Sequence, residues 1–309
     1  GYTLGGGFGR LNRKFGLTID NLKSAQIVTA DGTIRTVSDA QDSDLFWAIR
    51  GGGGNFGVVT NFEYQLYPFP RDVLSGNVVW PIDQAREVLD FYGEWSAGLS
   101  DDLYVGPTLA TTPDGDGVLI MEVVYAGDPV AGEKELEPLL SRGRIAENGV
   151  ALNDYMMMQT QEDATFAHGI RSYAKNGMVR QITPGLIDAM LEAWVQDPRL
   201  AMFTHTAGGA VKRVGETATA FPHRNAETMI IVAGGWTEPE QDDEAITLAR
   251  EWFAQLDPFT GGYYDNIEFE GDATTASNYG PAYSRLAQIK GQFDPINLFR
   301  LNSNIEPKA

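Results

Sequence analysis

The sequence of 309 residues contains no cysteine. Disulfides, thiolate metal sites and cysteine nucleophiles are therefore excluded within it. The redox compartment stays open, because reduced and secreted proteins alike can lack cysteine. Basic residues are scarce, 23 against 42 acidic, and the formal net charge is −19. Such a balance argues against a nucleic-acid backbone or an anionic membrane as partner. No apolar run is long enough to span a bilayer, and the beginning lacks a charged-then-apolar signal pattern. The expectation is a soluble protein, cytoplasmic or secreted, of open oligomeric state. The three histidines, His168, His205 and His223, have no ligand spacing, so no metal site is expected. The serines lack a nucleophile-elbow context, and GxxxxGK[ST] is absent.

Against these absences stand two crowded runs of glycine, GYTLGGGFG at 1–9 and GGGGNFG at 51–57. Glycine costs conformational entropy and has no side chain to offset it. Apolar neighbours mark both runs as ordered, which suits backbone that turns tightly or lies against a bound cofactor; glycine-rich surface loops are the plain alternative. Neither run is a dinucleotide fingerprint, since no strand–GxGxxG–helix unit surrounds them. A phosphate-bearing cofactor would be met by backbone amides in a nest at these turns.

A chain this long can bury a large core and form two lobes. Leu22 to Val37 reads as a hairpin turning at Asp31-Gly32. Asp42-Ser43 reads as the N-cap of a short helix ending at Gly51. Phe62, Tyr64 and Leu66 alternate along a strand that stops at Tyr67-Pro68-Phe69-Pro70. Beyond residue 70 the expected elements are a helix over 82–95, strands over 103–111 and 118–125, and helices over 133–140 and 184–194. Strands over 200–206 and 228–233 and a helix over 239–253 follow, up to a boundary near Asp257-Pro258. The order implies an α+β lobe with an antiparallel sheet covered on one face. The three methionines in 154–159 read as flexible core filling. The acidic turn at 113–117 lacks the rest of a calcium loop. A last helix is expected over 281–290, with Asp294-Pro295 as its stop.

Tyr263, Tyr264, Asn266 and Glu268 form a polar cluster in the tail, with Tyr279 and Tyr283 beyond it. Tyrosines serve as acids, bases or stacking platforms, or they plug a gap between lobes. His205 lies in an apolar strand pattern, where a hydrogen-bonded core imidazole is the plain reading. Arg180, Gln181, Thr204 and His205 are the polar residues near predicted strands that could face a substrate. Asn297 in DPINLF reads as a cap or staple of the terminal turn and is counted with the cofactor candidates.

Four stretches resemble the berberine-bridge-enzyme-like family of FAD-linked oxidases, in the vanillyl-alcohol-oxidase superfamily. They are GYTLGGGFGRLNRKFGLTIDNL at 1–22, SAQIVTADG at 24–32, DLFWAIRGGGGNFGVVTNFEYQLYP at 44–68 and YGPAYSRLAQIKGQFDPINLF at 279–299. The resemblance implies an α+β, two-lobed flavin oxidase fold. Residues 1–70 would be the C-terminal part of the FAD-binding domain, 71–257 the substrate domain and 258–309 a segment returning to the FAD-binding domain. It implies FAD as cofactor, and hydride transfer from an alcohol, sugar or secondary-metabolite carbon to the flavin, with substrate between the flavin ring and the sheet. Oxygen is the common electron acceptor, giving hydrogen peroxide. Gly5, Gly6, Gly7 and Gly9 would pass the pyrophosphate and ribityl part, Gly54, Asn55, Gly57 and Val59 would line the adenosine side, and Asn266 would lie near the isoalloxazine.

Two departures stand out. The family motif tyrosine–any–asparagine–tyrosine is matched by Tyr264, Asp265 and Asn266, but its fourth place holds Ile267. Isoleucine cannot take a proton, so Tyr263, Tyr264 and Glu268 become the candidate catalytic residues. The alternative is a non-catalytic binding or structural relic of the scaffold. The resemblance further implies a segment ahead of the glycine motif, with the pyrophosphate loop and the histidine and cysteine that tether FAD. The sequence starts after it, so part of the flavin lobe is expected outside this sequence and no covalent anchor is assigned.

Overall fold

The computed structural model describes residues 1–161, 163, 168–267, 274–301 and 303–308. The chain folds into two compact units. The first comprises Gly1–Pro68, Gly208–Asn225 and Gly261–Ala309, and the second Phe69–Ala207 and Ala226–Thr260.

In the first unit, β1 (Leu22–Val28), β2 (Ile34–Ser38) and β3 (Val58–Tyr64) form an antiparallel sheet in the order β2-β1-β3. The β1–β2 turn falls at Asp31-Gly32, with Val28 opposite Ile34. The Asp31 carboxylate accepts the Thr29 hydroxyl and the Thr33 amide and hydroxyl, which hold it well below the usual carboxylate range. The helix Ser43–Ile49 buries Leu45, Phe46, Trp47, Ala48 and Ile49. Its expected cap differs: Asp42 is left-handed, with φ of 47°, and its side chain caps nothing. The helix Tyr283–Phe293 adds Leu286, Ala287 and Ile289 to the same core.

The excursion Gly208–Asn225 was not separable from its surroundings by sequence. Arg224, fully buried, and Asp20, half-buried, join it to the rest of the unit through two 2.7 Å bonds, and Arg224 also donates to Thr219. The Trp47 indole N–H donates to the Thr217 carbonyl at 2.9 Å.

In the second unit, β4 (Asp72–Pro81), β5 (Leu103–Thr111), β6 (Gly117–Tyr125), β7 (Glu147–Asn148), β8 (Ala151–Asp154), β9 (Arg171–Val179), β10 (Ala201–Thr206) and β11 (Thr228–Trp236) make one antiparallel sheet. Its order is β7-β4-β6-β5-β10-β11-β9, and β8 also pairs with β4. The alternation of each strand puts Leu74, Val105, Met121, Met202 and Val232 into one core with the helices Ala85–Trp95, Pro129–Leu140, Pro184–Gln196 and Asp242–Leu256. Strands β4 and β9 were not expected. Their sequences, DVLSGNVVWP and RSYAKNGMV, carry polar residues and glycine where an apolar period should show. The methionines of the helix Tyr155–Thr160 do not fill a core as a group: Met158 is buried, whereas Met156 and Met157 are exposed.

The end of the chain is latched by a fully buried pair. Lys290 Nζ donates to Asp294 at 2.6 Å, to the Asn55 carbonyl at 2.6 Å and to the Phe299 carbonyl at 2.8 Å. Asp294 also accepts the amides of Leu298 and Phe299. Burial acts to raise the Asp294 carboxyl, but Lys290 and the two amides outweigh it and hold it below the usual value. A depressed carboxyl contributes stability that is complete above its unfolded value of about 3.9 and is lost as pH falls through the folded one. Asp294→Ala leaves an unpaired buried ammonium and is expected to cost about 3–5 kcal/mol in denaturant melts at neutral pH. Lys290→Met combined with Asp294→Leu should regain most of that loss; a double variant no better than the single one would contradict this assignment.

Candidate functional site

The glycine turn at the start of the chain and the tail tyrosines meet at one atom. The Tyr264 hydroxyl oxygen accepts the Gly7 amide at 3.0 Å, the Phe8 amide at 3.3 Å and Asn266 Nδ2 at 2.6 Å. Asn266 Nδ2 also donates to the Tyr2 carbonyl at 3.0 Å. A carbonyl only accepts, which fixes the orientation of the amide and leaves Asn266 Oδ1 as the open acceptor among the described residues. The Tyr2 hydroxyl closes the turn by donating to the Phe8 carbonyl at 2.9 Å.

The glycines exist for this packing. A Cβ on Gly5 would stand 2.2 Å from Asn266 Oδ1, so any side chain there displaces the amide. The corresponding positions on Gly6, Gly7 and Gly9 face Phe221, Thr18 and the Tyr2 hydroxyl. The second run is bonded to the first: the Leu4 carbonyl accepts the amides of Gly51 and Gly53 at 2.9 and 3.1 Å. Tyr279, fully buried, donates its hydroxyl to the Gly51 carbonyl. The amides of Gly5, Gly6, Gly7, Phe8, Gly51, Gly52 and Gly53 all donate to protein oxygens.

The remaining candidates are placed as follows. Asn55 is buried, donates to the Gly52 and Ser303 carbonyls and accepts the Ile305 amide, so its side chain holds the chain terminus. Gly57 lies against Ile27 and Val28, Val59 is paired opposite Ile27, and Gly54 is half-buried. Asn297 is left-handed, with φ of 54°, and its Oδ1 is a buried acceptor without a hydrogen-bond partner. The Tyr263 amide donates to Asn278 Oδ1, which also takes His223 Nε2 at 2.9 Å. Glu268 lies outside the described residues.

Tyr264 braces the glycine turn. Burial raises its phenol above the ordinary value, against the lowering effect of the Gly7 and Phe8 amides and Asn266. Burial thus outweighs the three N–H groups and keeps the phenol in its neutral form.

In the second unit, the sheet face opposite the four helices carries Tyr104, Glu122, Asn176 and His205. Thr204 points the other way, with its hydroxyl on the Pro107 carbonyl. Arg180 and Gln181 are exposed beyond the end of β9, and His168 is exposed. Tyr104 and Asn176 were missed by sequence reading. Only the pairing of β5 with β10, and of β9 with β11, puts them on this face. Among the described residues no group of three histidine, aspartate or glutamate side chains could hold a metal, and no helix is long and apolar enough to cross a membrane.

Tyr264→Phe strands two buried amides and is expected to cost about 1–3 kcal/mol in denaturant melts. A variant that loses activity with unchanged stability would instead make the phenol a reacting group.

Comparison with known proteins gives this geometry a family. Residues 266–306 match the family model "Berberine and berberine like". An FAD-linked oxidoreductase of Dictyostelium discoideum is 32% identical over 315 residues, covering 99% of this chain and 68% of that protein. The (R)-6-hydroxynicotine oxidase of Paenarthrobacter nicotinovorans is 29% identical, over all of this chain and 70% of its own. The crystal structure of 6-hydroxy-D-nicotine oxidase from Arthrobacter nicotinovorans superimposes with a TM-score of 0.86 at 29% identity, covering 100% of this chain and 71% of that one. The α+β architecture is that of the two-lobed flavin oxidases. The chain belongs to the berberine-bridge-enzyme-like family of FAD-linked oxidoreductases.

Proposed function

We propose that the protein oxidises a small molecule bearing a hydroxyl or amine, using FAD, with Asn266 at the ring end of the flavin. The observation that supports this most is the triple convergence on the Tyr264 hydroxyl, which fixes Asn266 with one acceptor open. The fit of the cofactor differs along its length. At Asn266 it is good: an open amide oxygen suits a ring N–H, and the rim residues Tyr2 and Tyr263 are aromatic and at least partly exposed. At the glycine turns it is poor for a pyrophosphate, which needs convergent N–H donors or cations, because those amides are already used. Gly5, Gly6, Gly7 and Gly9 thus act as scaffold for Asn266, and Gly51 to Gly53 brace the Leu4 carbonyl. Gly54, Asn297 and Val59 stay candidates for cofactor contact; Asn55 and Gly57 hold the unit together.

The segments 1–70 and 258–309 belong to the flavin lobe in this reading, joined by Gly208–Asn225, and the remainder of 71–257 is the substrate lobe. FAD, when bound, supplies a two-electron acceptor. The chain's own residues bind, orient and hold protons. Asn266 orients the ring, Tyr264 orients Asn266, and Ile267 contributes no proton transfer. Oxygen is the electron acceptor we assign.

Ile267 favours a second reading, a scaffold that has kept its cofactor site but lost turnover. One experiment separates the two. Full-length protein should show a flavin absorbance that bleaches without oxygen on adding a turned-over member of an alcohol, sugar and amine panel, and recovers with peroxide on aeration. Flavin without turnover across the panel supports the relic, and correctly folded protein without flavin contradicts both.

A further inference from the structure

We infer that Met156 and Met157 form an oxidation site, where hydrogen peroxide converts two exposed thioethers to sulfoxides and leaves the core intact. The site is built from the second unit alone. That turnover supplies the peroxide rests on the reading of the protein as an oxidase.

With eight methionines and no cysteine, the thioethers are the softest oxidisable side chains in the sequence. Met156 is 63% exposed and Met157 73%, whereas Met158 and the other five are exposed by 6% or less. Peroxide reaches a sulfur lone pair from solvent, so this difference separates one adjacent pair from all the rest.

The helix Tyr155–Thr160 holds the pair outward. Asp154 accepts the Met156 and Met157 amides at 2.8 and 3.3 Å and is itself held by Arg71. The Thr160 hydroxyl donates to the Met156 carbonyl at 3.0 Å. Tyr155 and Met158, three residues apart, share the inward face. The Tyr155 ring meets Phe69 edge-on at 5.1 Å, and Met158 packs with Val73, Tyr104 and Val124. Met156 and Met157 fall on the opposite side of the same turn.

Met157 and Met158 both line a cavity of about 370 Å³, together with Gly76, Glu147 and Asn153. A sulfoxide on Met157 puts a polar acceptor on a wall where a thioether stood. Met158 is next in reach, and a sulfoxide there would break its packing against the aromatic rings. The step balances. A sulfur lone pair takes one oxygen of the peroxide, the O–O bond breaks, and the other oxygen leaves as water with both protons. The sulfur is oxidised and the peroxide reduced.

The test is exposure of the full-length protein to added hydrogen peroxide, with oxidised positions read by tandem mass spectrometry of its peptides. In the folded protein, Met156 and Met157 are expected to oxidise about ten-fold faster than Met121, Met178, Met190, Met202 and Met229, with Met158 between. In the unfolded chain all eight should react alike. Denaturant melts should be unchanged after uptake at Met156 and Met157, and weakened once Met158 is oxidised. Met156→Leu combined with Met157→Leu should abolish the fast uptake and keep the fold. Equal rates at all eight positions of the folded protein, or a fast uptake that survives the double substitution, overturns the proposal. Added peroxide reads the site whether or not the protein turns over, so a failure of the oxidase reading shows separately, as no peroxide released on aeration with substrate.

Discussion

One phenol oxygen organises the first unit. Tyr264 takes N–H groups from Gly7 and Phe8 at one end of the chain and from Asn266 at the other. Burial of a backbone amide without a partner is costly, so this oxygen determines where the tail lies as much as any apolar contact does. The glycines follow from that constraint. Gly5 is small because Asn266 needs its space, and the second run approaches because Leu4 has a carbonyl to offer. The terminal latch of Lys290, Asp294 and Asn55 secures the same tail from the far side of its helix.

Much of this was legible in the sequence, and what was not has identifiable causes. The Asp31-Gly32 hairpin and the amphipathic helix ending at Trp95 announce themselves, because turn chemistry and helical period are local signals. Strands β4 and β9 did not, because their alternation is broken by Gly76, Asn77, Lys175 and Gly177, and tertiary packing supplies what local preference lacks. Arg224 gave no sign of its partner, since an ion pair spanning 204 residues leaves no periodicity. Asp42 has a capping residue's chemistry but a left-handed backbone.

The candidate site shows the same division. The glycine runs and the tail pointed to each other only through family resemblance, and the geometry changes the reason for their glycines. A Cβ on Gly5, Gly7, Gly51 or Gly52 would meet protein atoms. Tyr264 carries the family's motif position and is buried, with its hydroxyl bonded to the glycine turn and to Asn266. His205 read as a core residue, and its contact with Tyr104, 101 residues away, left no local signal.

The central claim is that Asn266, oriented by Tyr264, marks the ring end of the flavin. A crystal structure of the full-length, flavin-loaded protein tests it most directly. The account predicts a flavin ring atom within hydrogen-bonding distance of Asn266 Oδ1, with the Gly7 and Phe8 amides still on Tyr264. A pyrophosphate seated on the Gly5 to Phe8 amides, with Asn266 turned away from the ring, would contradict it.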